Sequence, residues 1–350
     1  MLASRFPGLN ASLPLHALTD LPTPLEPADG LAHEIGVGRL LIKRDDLTAH
    51  PHGGNKVRKL EYLLGDALSR GCDTVVTFGA AGSNHALATA VYARQLGLTC
   101  YAVLTDQPLT SDVGPTLRYH ARLGTILVHA DGYLDSLHKA EGIRNRHPGG
   151  AERLYEIAWG GSSWLGATAF VNAALELSAQ LGERAEPHFI YVACGTMGTA
   201  VGLALGLRLA EMQTRVVAVQ VVPEPVTTAA NFEKLFERTN RELHDRESTI
   251  PIFENPLANV ELRAEFLGPG YAEATPECTA AIKLIEAAEG LRLETTYTGK
   301  ALAALVHDAR SGRLEADRAL FWNTYNSLPY PANPIVDEPT AFGEAFRKYL

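Results

Sequence analysis

The sequence predicts an α/β protein built on two open, twisted parallel sheets flanked by helices. Two observations lead there. Short runs of β-branched and aromatic residues alternate with helix-period patterns over most of the chain, the order that a parallel sheet covered on both faces requires. The length, 350 residues, exceeds what one hydrophobic core organises, so two domains are expected. Hydrophobic residues make up 46% and charged ones 20%, an ordinary balance for a soluble globular protein. The formal net charge of −9 leaves no basic surplus to neutralise phosphates, which argues against nucleic acid or an anionic membrane as partner. Cys72, Cys100, Cys194 and Cys278 are scattered without C-x-x-C spacing, which fits reduced thiols in a cytoplasm and gives no reason to expect a metal. The start of the chain lacks the apolar core of a signal peptide. No uncharged apolar stretch is long enough to span a bilayer.

Each element follows from local pattern. The first 38 residues are dense in Pro and Leu and read as extended chain, until Pro27-Ala28-Asp29 opens a short helix. Arg39 to Lys43 is a short strand, followed by the acidic pair Asp45 and Asp46. That pair reads as a loop ordered by hydrogen bonds and by pairing with Arg44 or Lys43, more readily than as acid/base or metal chemistry. Leu60, Leu63, Leu64, Ala67 and Leu68 form one apolar helical face. Thr74 to Phe78 is a buried strand, and a helix runs from Ala86 to Leu96. Strands at Thr99–Leu104, Thr125–His129, Leu154–Ala158, His188–Ala193 and Val216–Val222 continue the alternation. Residues 223–260 read as a helix plus a long surface loop. Thr275-Pro276-Glu277 caps and opens another helix, Ala301–Ala309 a further one, and Ala319 to Trp322 is the last strand. The Pro-rich tail from Pro329 ends in a short helix over Ala341–Leu350.

Three strand-to-helix loops hold the candidate chemistry. In Gly53-Gly54-Asn55-Lys56-Val57-Arg58-Lys59 two glycines deliver a lysine to a helix start. Glycines let a backbone approach a ligand closely, and a desolvated lysine presents the neutral amine that a Schiff-base enzyme needs. Taken alone, the same residues also read as a solvated basic face. Gly82-Ser83-Asn84-His85 sets polar side chains and free N–H groups at a second helix start, where Ser83 and Asn84 also read as caps. Cys194-Gly195-Thr196-Met197-Gly198-Thr199 offers N–H groups and hydroxyls to one phosphate, or makes a structural turn. It is no Walker A loop and lacks a dinucleotide fingerprint, which disfavours a nucleotide-binding oxidoreductase. Carboxyl ends of parallel strands converge on one crevice. There Tyr271, Tyr297 and Thr324 would join the three loops in a set suited to pyridoxal phosphate.

Ile42-Lys43-Arg44-Asp45-Asp46, Gly-Gly-Asn-Lys-x-Arg-Lys-Leu-Glu, Ser83-Asn84-His85, Gly160-Gly161-Ser162, Gly268-Pro269-Gly270-Tyr271 and Tyr297-Thr298-Gly299-Lys300 resemble the D-cysteine desulfhydrase / 1-aminocyclopropane-1-carboxylate (ACC) deaminase family. The matches run in order from about Pro22 to Thr324. The resemblance implies the fold-type II architecture of pyridoxal-phosphate enzymes and usually a homodimer. It implies a large cofactor-binding domain, 1–55 plus 175–350, with a smaller α/β domain, 56–174, embedded in it. It makes Lys56 the Schiff-base lysine and Ser83 and Tyr297 further catalytic groups. Asn55, Asn84, Cys194, Gly195, Thr196, Met197, Gly198, Thr199, Tyr297 and Thr324 would hold the cofactor. Ser83, Asn84, His85, Trp159, Gly160, Tyr271, Thr298 and Tyr325 would meet the substrate.

Within that family Thr298 and Thr324 are similar to the desulfhydrase branch, whereas ACC deaminases look to carry Glu and Leu there. A threonine at the pyridine nitrogen supports weak electron withdrawal, enough for a good β leaving group but a poor match to opening a cyclopropane. The expected activity is therefore β-elimination from a small amino acid, with D-cysteine giving pyruvate, ammonia and hydrogen sulfide. ACC deamination, a lyase for another β-substituted alanine such as cysteate, and a cofactor carrier without turnover are the alternatives. Three departures bear on the substrate: Gly82 where the family commonly has Gln, Asn323-Thr324-Tyr325-Asn326 in place of His-Thr-Gly-Gly, and a longer segment from about Arg241 to Asn259.

Overall fold

The computed structural model describes residues 1–314, 318–330 and 342–350. Two sheets form the frame. The smaller holds β3 (Thr74–Ala80), β4 (Thr99–Thr105), β5 (Ile126–Ala130) and β6 (Leu154–Ile157) in the order β5-β4-β3-β6, all parallel. The larger is ordered β1-β2-β10-β7-β8-β9. Its members are β1 (Leu25–Pro27), β2 (Arg39–Arg44), β7 (Phe189–Cys194), β8 (Arg215–Gln220), β9 (Val260–Arg263) and β10 (Arg318–Asn323).

The larger sheet is parallel except at its edge, where β1 runs antiparallel to β2. A Pro-dense run gives no sign of this edge strand. Pro27 is tolerated there because an edge leaves one row of N–H positions unused. The edge strand β9 is equally silent in the sequence, being four residues of mixed polarity. Every residue of β3 is buried, the continuous burial that a parallel sheet covered on both faces imposes.

The helices are α1 (Leu2–Arg5), α2 (Asp29–Ile35), α3 (Asn55–Ser69), α4 (Asn84–Gln95), α5 (Val113–Arg122), α6 (Tyr133–Asn145), α7 (Trp164–Leu181), α8 (Gly198–Leu209), α9 (Ala229–Arg246), α10 (Pro276–Glu289) and α11 (Thr298–Arg310). Thr275 caps α10 by accepting from the Cys278 N–H, as its sequence predicts. The tail helix is instead a 3-10 turn over Glu344–Tyr349; the Pro-rich stretch at 331–341 lies outside the described residues.

Two packing features position the site. Helix α8 lies close along α7 because Gly202 and Gly206 carry no Cβ; one on Gly202 would collide with the Ala167 carbonyl, and one on Gly206 would stand 2.7 Å from Ala174 Cβ. Beneath α3, Arg58 donates to both Asp45 (2.8 Å) and Glu176 (2.9 Å), while Lys43 reaches Glu176 at 2.6 Å and Trp322 Nε1 donates to Asp45 at 2.8 Å. All four charges are buried. The acidic pair thus divides: Asp46 pairs with Arg44 as expected, but Asp45 serves Arg58. Breaking such a buried network costs about 3–5 kcal/mol, since it strands a charge away from water.

Candidate active site

The carboxyl ends of all four strands of the small sheet, and of β2, β7, β8 and β10, feed one cavity of about 460 Å³. Lys56 lies in its wall at the first turn of α3. Burial pushes its amine down to about 8, against a smaller upward pull from Cys194, so a neutral nucleophilic amine is accessible near neutral pH. Its Nζ stands 3.5 Å from the Gly160 carbonyl.

Lys59 joins it on the same wall, donating to Gly160 O at 3.0 Å and Ser162 Oγ at 3.3 Å. Burial and then the charge of Lys56 hold Lys59 well below the usual lysine range. Among the described residues no carboxylate pairs with either amine.

Opposite them is the start of α8. Met197 adopts a left-handed φ of 66°, which turns the chain so that successive N–H groups face one side. Ser162 Oγ lies 2.7 Å from Thr196 Oγ1 and accepts from the Gly198 N–H, and Asn55 Nδ2 donates to Thr199 Oγ1 at 3.0 Å. Gly195, Thr196, Met197, Gly198 and Thr199 all line the cavity. A Cβ on Gly198 would stand 3.0 Å from Lys59 Nζ, which places that amine beside the nest. Two amines without carboxylate partners facing N–H groups make a site for a dianion such as a phosphate ester.

Ser83 caps α4 by accepting from the Ala86 N–H at 3.2 Å while also lining the cavity with Asn84 and His85, so capping does not withdraw it from the site. Gly79 makes room for it: a Cβ there would be 2.5 Å from Ser83 Oγ. Burial, followed by the charges of Lys56 and Lys59, drives His85 well below the usual histidine range, leaving a neutral ring. Tyr271 and Tyr297 meet at 2.7 Å between hydroxyls, rings edge to face; burial pushes Tyr271 up to about 12 and holds Tyr297 well above the usual tyrosine range. The backbone of Tyr297 is fixed by Glu294, whose carboxylate accepts from the N–H groups of Thr296, Tyr297 and Thr298.

Of the expected site residues, Asn55, Trp159, Gly160, Thr324 and Tyr325 are likewise in the wall, but Cys194 and Thr298 are not. Cys194 points into the core, where burial raises its thiol to about 12. The Thr298 hydroxyl is spent on Glu294 at 2.9 Å. Gly53 and Gly54 serve close approach to backbone of this chain rather than to a ligand. A Cβ on Gly53 would collide with Asp46 O, and one on Gly54, at φ 94°, would come within 3.2 Å of Thr324 O.

Sequence reasoning passes over Lys59, Glu294, Phe78, Asp106, Asp131 and Tyr133, all of which line the cavity. For Lys59 the i, i+3 spacing from Lys56 is a usable signal; Glu294 offers none.

Comparison with known proteins gives this geometry its class. A family model for pyridoxal-phosphate dependent enzymes matches residues 17–324, and the chain belongs to that family. Within it, the chain is 34% identical over 317 residues to a D-cysteine desulfhydrase of Klebsiella pneumoniae, covering 87% of this chain and 88% of that one. A crystal structure of an ACC deaminase homologue superposes with a TM-score of 0.80 at 32% identity, over 91% of this chain and 94% of the other. An L-serine ammonia-lyase of the fungus Rhizomucor miehei (TM-score 0.59, 18% identity, 89% and 94% covered) shares the fold.

Proposed function

We propose that this pyridoxal-phosphate enzyme is a carbon–sulfur lyase that eliminates the β substituent of a small amino acid, with D-cysteine as the parent substrate. The observation that carries the reading is Lys56, its amine near 8, set in one cavity with an anion nest and a polar helix start. The similarity to D-cysteine desulfhydrase supports the choice of substrate over ACC.

When bound, pyridoxal phosphate supplies an electron sink for the α carbon. Lys56 would hold the cofactor and is the first candidate to take the α proton, with Ser83 as the second candidate base. The nest at 195–199 and Lys59 would hold the phosphate, and Asn84 the ring hydroxyl. Ser83 and His85 bind the substrate carboxylate at the start of α4, where free N–H groups favour an anion. Thr324 would meet the pyridine nitrogen, and Tyr297 and Tyr271 would lie against cofactor and substrate, since all three line the cavity. Cysteine and water then give pyruvate, ammonia and hydrogen sulfide.

The working form we infer is a cytoplasmic homodimer divided into 1–55 with 175–350 and 56–174; light scattering tests the dimer. No helix among the described residues is long and apolar enough to cross a membrane.

The deciding experiment follows the visible absorption of the purified holoenzyme, and pyruvate, as D-cysteine is added. A band consumed and restored with stoichiometric pyruvate is expected. A bound but inert cofactor refutes desulfhydration, and 2-oxobutanoate from ACC would favour the deaminase reading.

A further inference from the structure

The small-sheet side of the cavity is faced by three aromatic residues from three different strand ends. Phe78 lies near the end of β3, Tyr133 opens α6 after β5, and Trp159 follows β6. Phe78 and Trp159 stack with centroids 6.1 Å apart at 15°, and Tyr133 leans on Trp159 at 6.2 Å and 44°. Phe78 is rooted in the core with Val76, Val103 and Leu154. Trp159 is only partly covered, and Tyr133 is 61% exposed. The trio therefore runs from the interior of the site to its mouth. At the mouth the outer ring is open to solvent, where a ligand can reach it.

What this wall shows a ligand is carbon. The indole N–H of Trp159 is buried and has no acceptor among the described residues, so the exposed part of the ring is apolar. Next to Trp159 is Gly160, whose carbonyl receives the two lysine amines. Next to Phe78 is Gly79, against which Ser83 packs. The wall is thus contiguous with both the amine and the carboxylate-binding loop. Beyond it, Asp106 and Asp131 line the mouth. Asp106 is paired with Lys348 at 2.7 Å, but the Asp131 side chain is 90% exposed and lies 3.8 Å from the His129 ring. That rim repels an anionic substituent.

We propose that Phe78, Trp159 and Tyr133 select amino acids whose β sulfur carries a planar, uncharged group, so that aryl or heteroaryl thioethers of cysteine are better substrates than cysteine itself. The proposal deepens the lyase reading and rests on it. The chemistry is unchanged. The α proton is removed, the Cβ–S bond breaks with its electron pair leaving on sulfur, and the sulfur takes a proton to give an aryl thiol. Water hydrolyses the remaining three-carbon enamine to pyruvate and ammonia. Stacking on the wall is retained from binding through the departure of the thiol, so it acts on kcat/KM mainly through KM.

The test uses the holoenzyme with cysteine, S-phenylcysteine and cysteate, each in the configuration from which cysteine releases pyruvate. For the wild type, kcat/KM should rank S-phenylcysteine above cysteine by about tenfold, an effect of the size that one well-filled apolar pocket provides, with cysteate last. Trp159→Val and Tyr133→Ala should each shrink that ratio several-fold through KM, Tyr133→Ala being the variant at an exposed position that leaves folding safe. An unchanged ratio in both variants, or cysteine turned over while S-phenylcysteine is not, overturns the proposal.

A second readout needs no turnover. Phenylalanine and alanine are titrated as unreactive ligands, both enantiomers of phenylalanine included, and followed by the cofactor band and by tryptophan fluorescence. Phenylalanine should bind about tenfold more tightly than alanine in the wild type and lose that margin in Trp159→Val; equal binding by the wild type overturns the proposal. Preferential phenylalanine binding with no pyruvate from any substrate would remove the lyase reading and leave the wall standing.

Discussion

Arg58 and Lys59 are neighbours on one helix, both almost wholly buried, and the chain treats them in opposite ways. Arg58 is given Asp45, Glu176 and the Thr23 hydroxyl, with Lys43 closing the far side of Glu176. Lys59, with Lys56 one turn before it, is given a carbonyl and a hydroxyl and no carboxylate. A buried cation with paired carboxylates is a structural device, since its charge is neutralised within the fold. Lys59, left without a carboxylate, has its basicity depressed by burial and by Lys56, and a site so arranged favours an anion from outside. The contrast separates the charges that hold α3 in place from the two amines that α3 presents to the cavity.

The largest effect should come from Lys56→Ala. Turnover is expected to fall below detection, and the cofactor should bind without the covalent link that borohydride fixes to the protein. Retained activity would remove Lys56 from its role. Glu176→Gln should instead act on stability, by about 3–5 kcal/mol, because it strands Arg58 and Lys43; a lowered melting temperature of the apoprotein reads it. Burial pushes the Glu176 carboxyl up, but Arg58 and Lys43 outweigh it and hold the group down at about 2. Its contribution is thus complete above the ordinary glutamate range and is lost as pH falls toward 2. The wild type should lose melting temperature over that window, and Glu176→Gln should flatten the loss.

How much of this is legible in the sequence depends on whether the signal is local. Lys56 and the nest at 195–199 can be read because loop, glycine and helix start are contiguous in sequence. Ser83 is legible for the same reason, though its double use as cap and wall is not. The wall of Phe78, Tyr133 and Trp159 is assembled from three strand ends and exists only once the order β5-β4-β3-β6 is known. Glu294 cannot be read because its role depends on the turn at 296–298 folding back upon it. Thr298, which its motif presents as a substrate contact, is claimed by that same carboxylate. At the sheet edges, β1 and β9 escape detection because three or four residues carry too little periodicity to be distinguished from loop.

Lys59→Met sharpens the comparison with Arg58 because its two effects should have opposite signs. Removing a buried cation that has no carboxylate partner should leave the apoprotein as stable as the wild type or more so. The same change should weaken pyridoxal-phosphate binding about 10- to 100-fold, the range for losing one hydrogen bond to a charged group. Equilibrium titration of the apoprotein reads the second and thermal melting the first. A loss of stability like that of Glu176→Gln would make Lys59 structural after all.

The smallest effect is one of degree in pH. Only a neutral amine attacks an aldehyde, and burial brings the Lys56 amine down to about 8. Each unit below about 8 cuts the neutral fraction about tenfold, so the rate at which apoprotein acquires its visible band should climb with that slope from about pH 6 and level off above about 8.5. The buffer series should use a cofactor concentration low enough that the second-order step is observed. A rate still climbing at about pH 10 would mean that Lys56 keeps the basicity of an exposed lysine, and the distinction drawn between the cations of α3 would then rest on Lys59 alone.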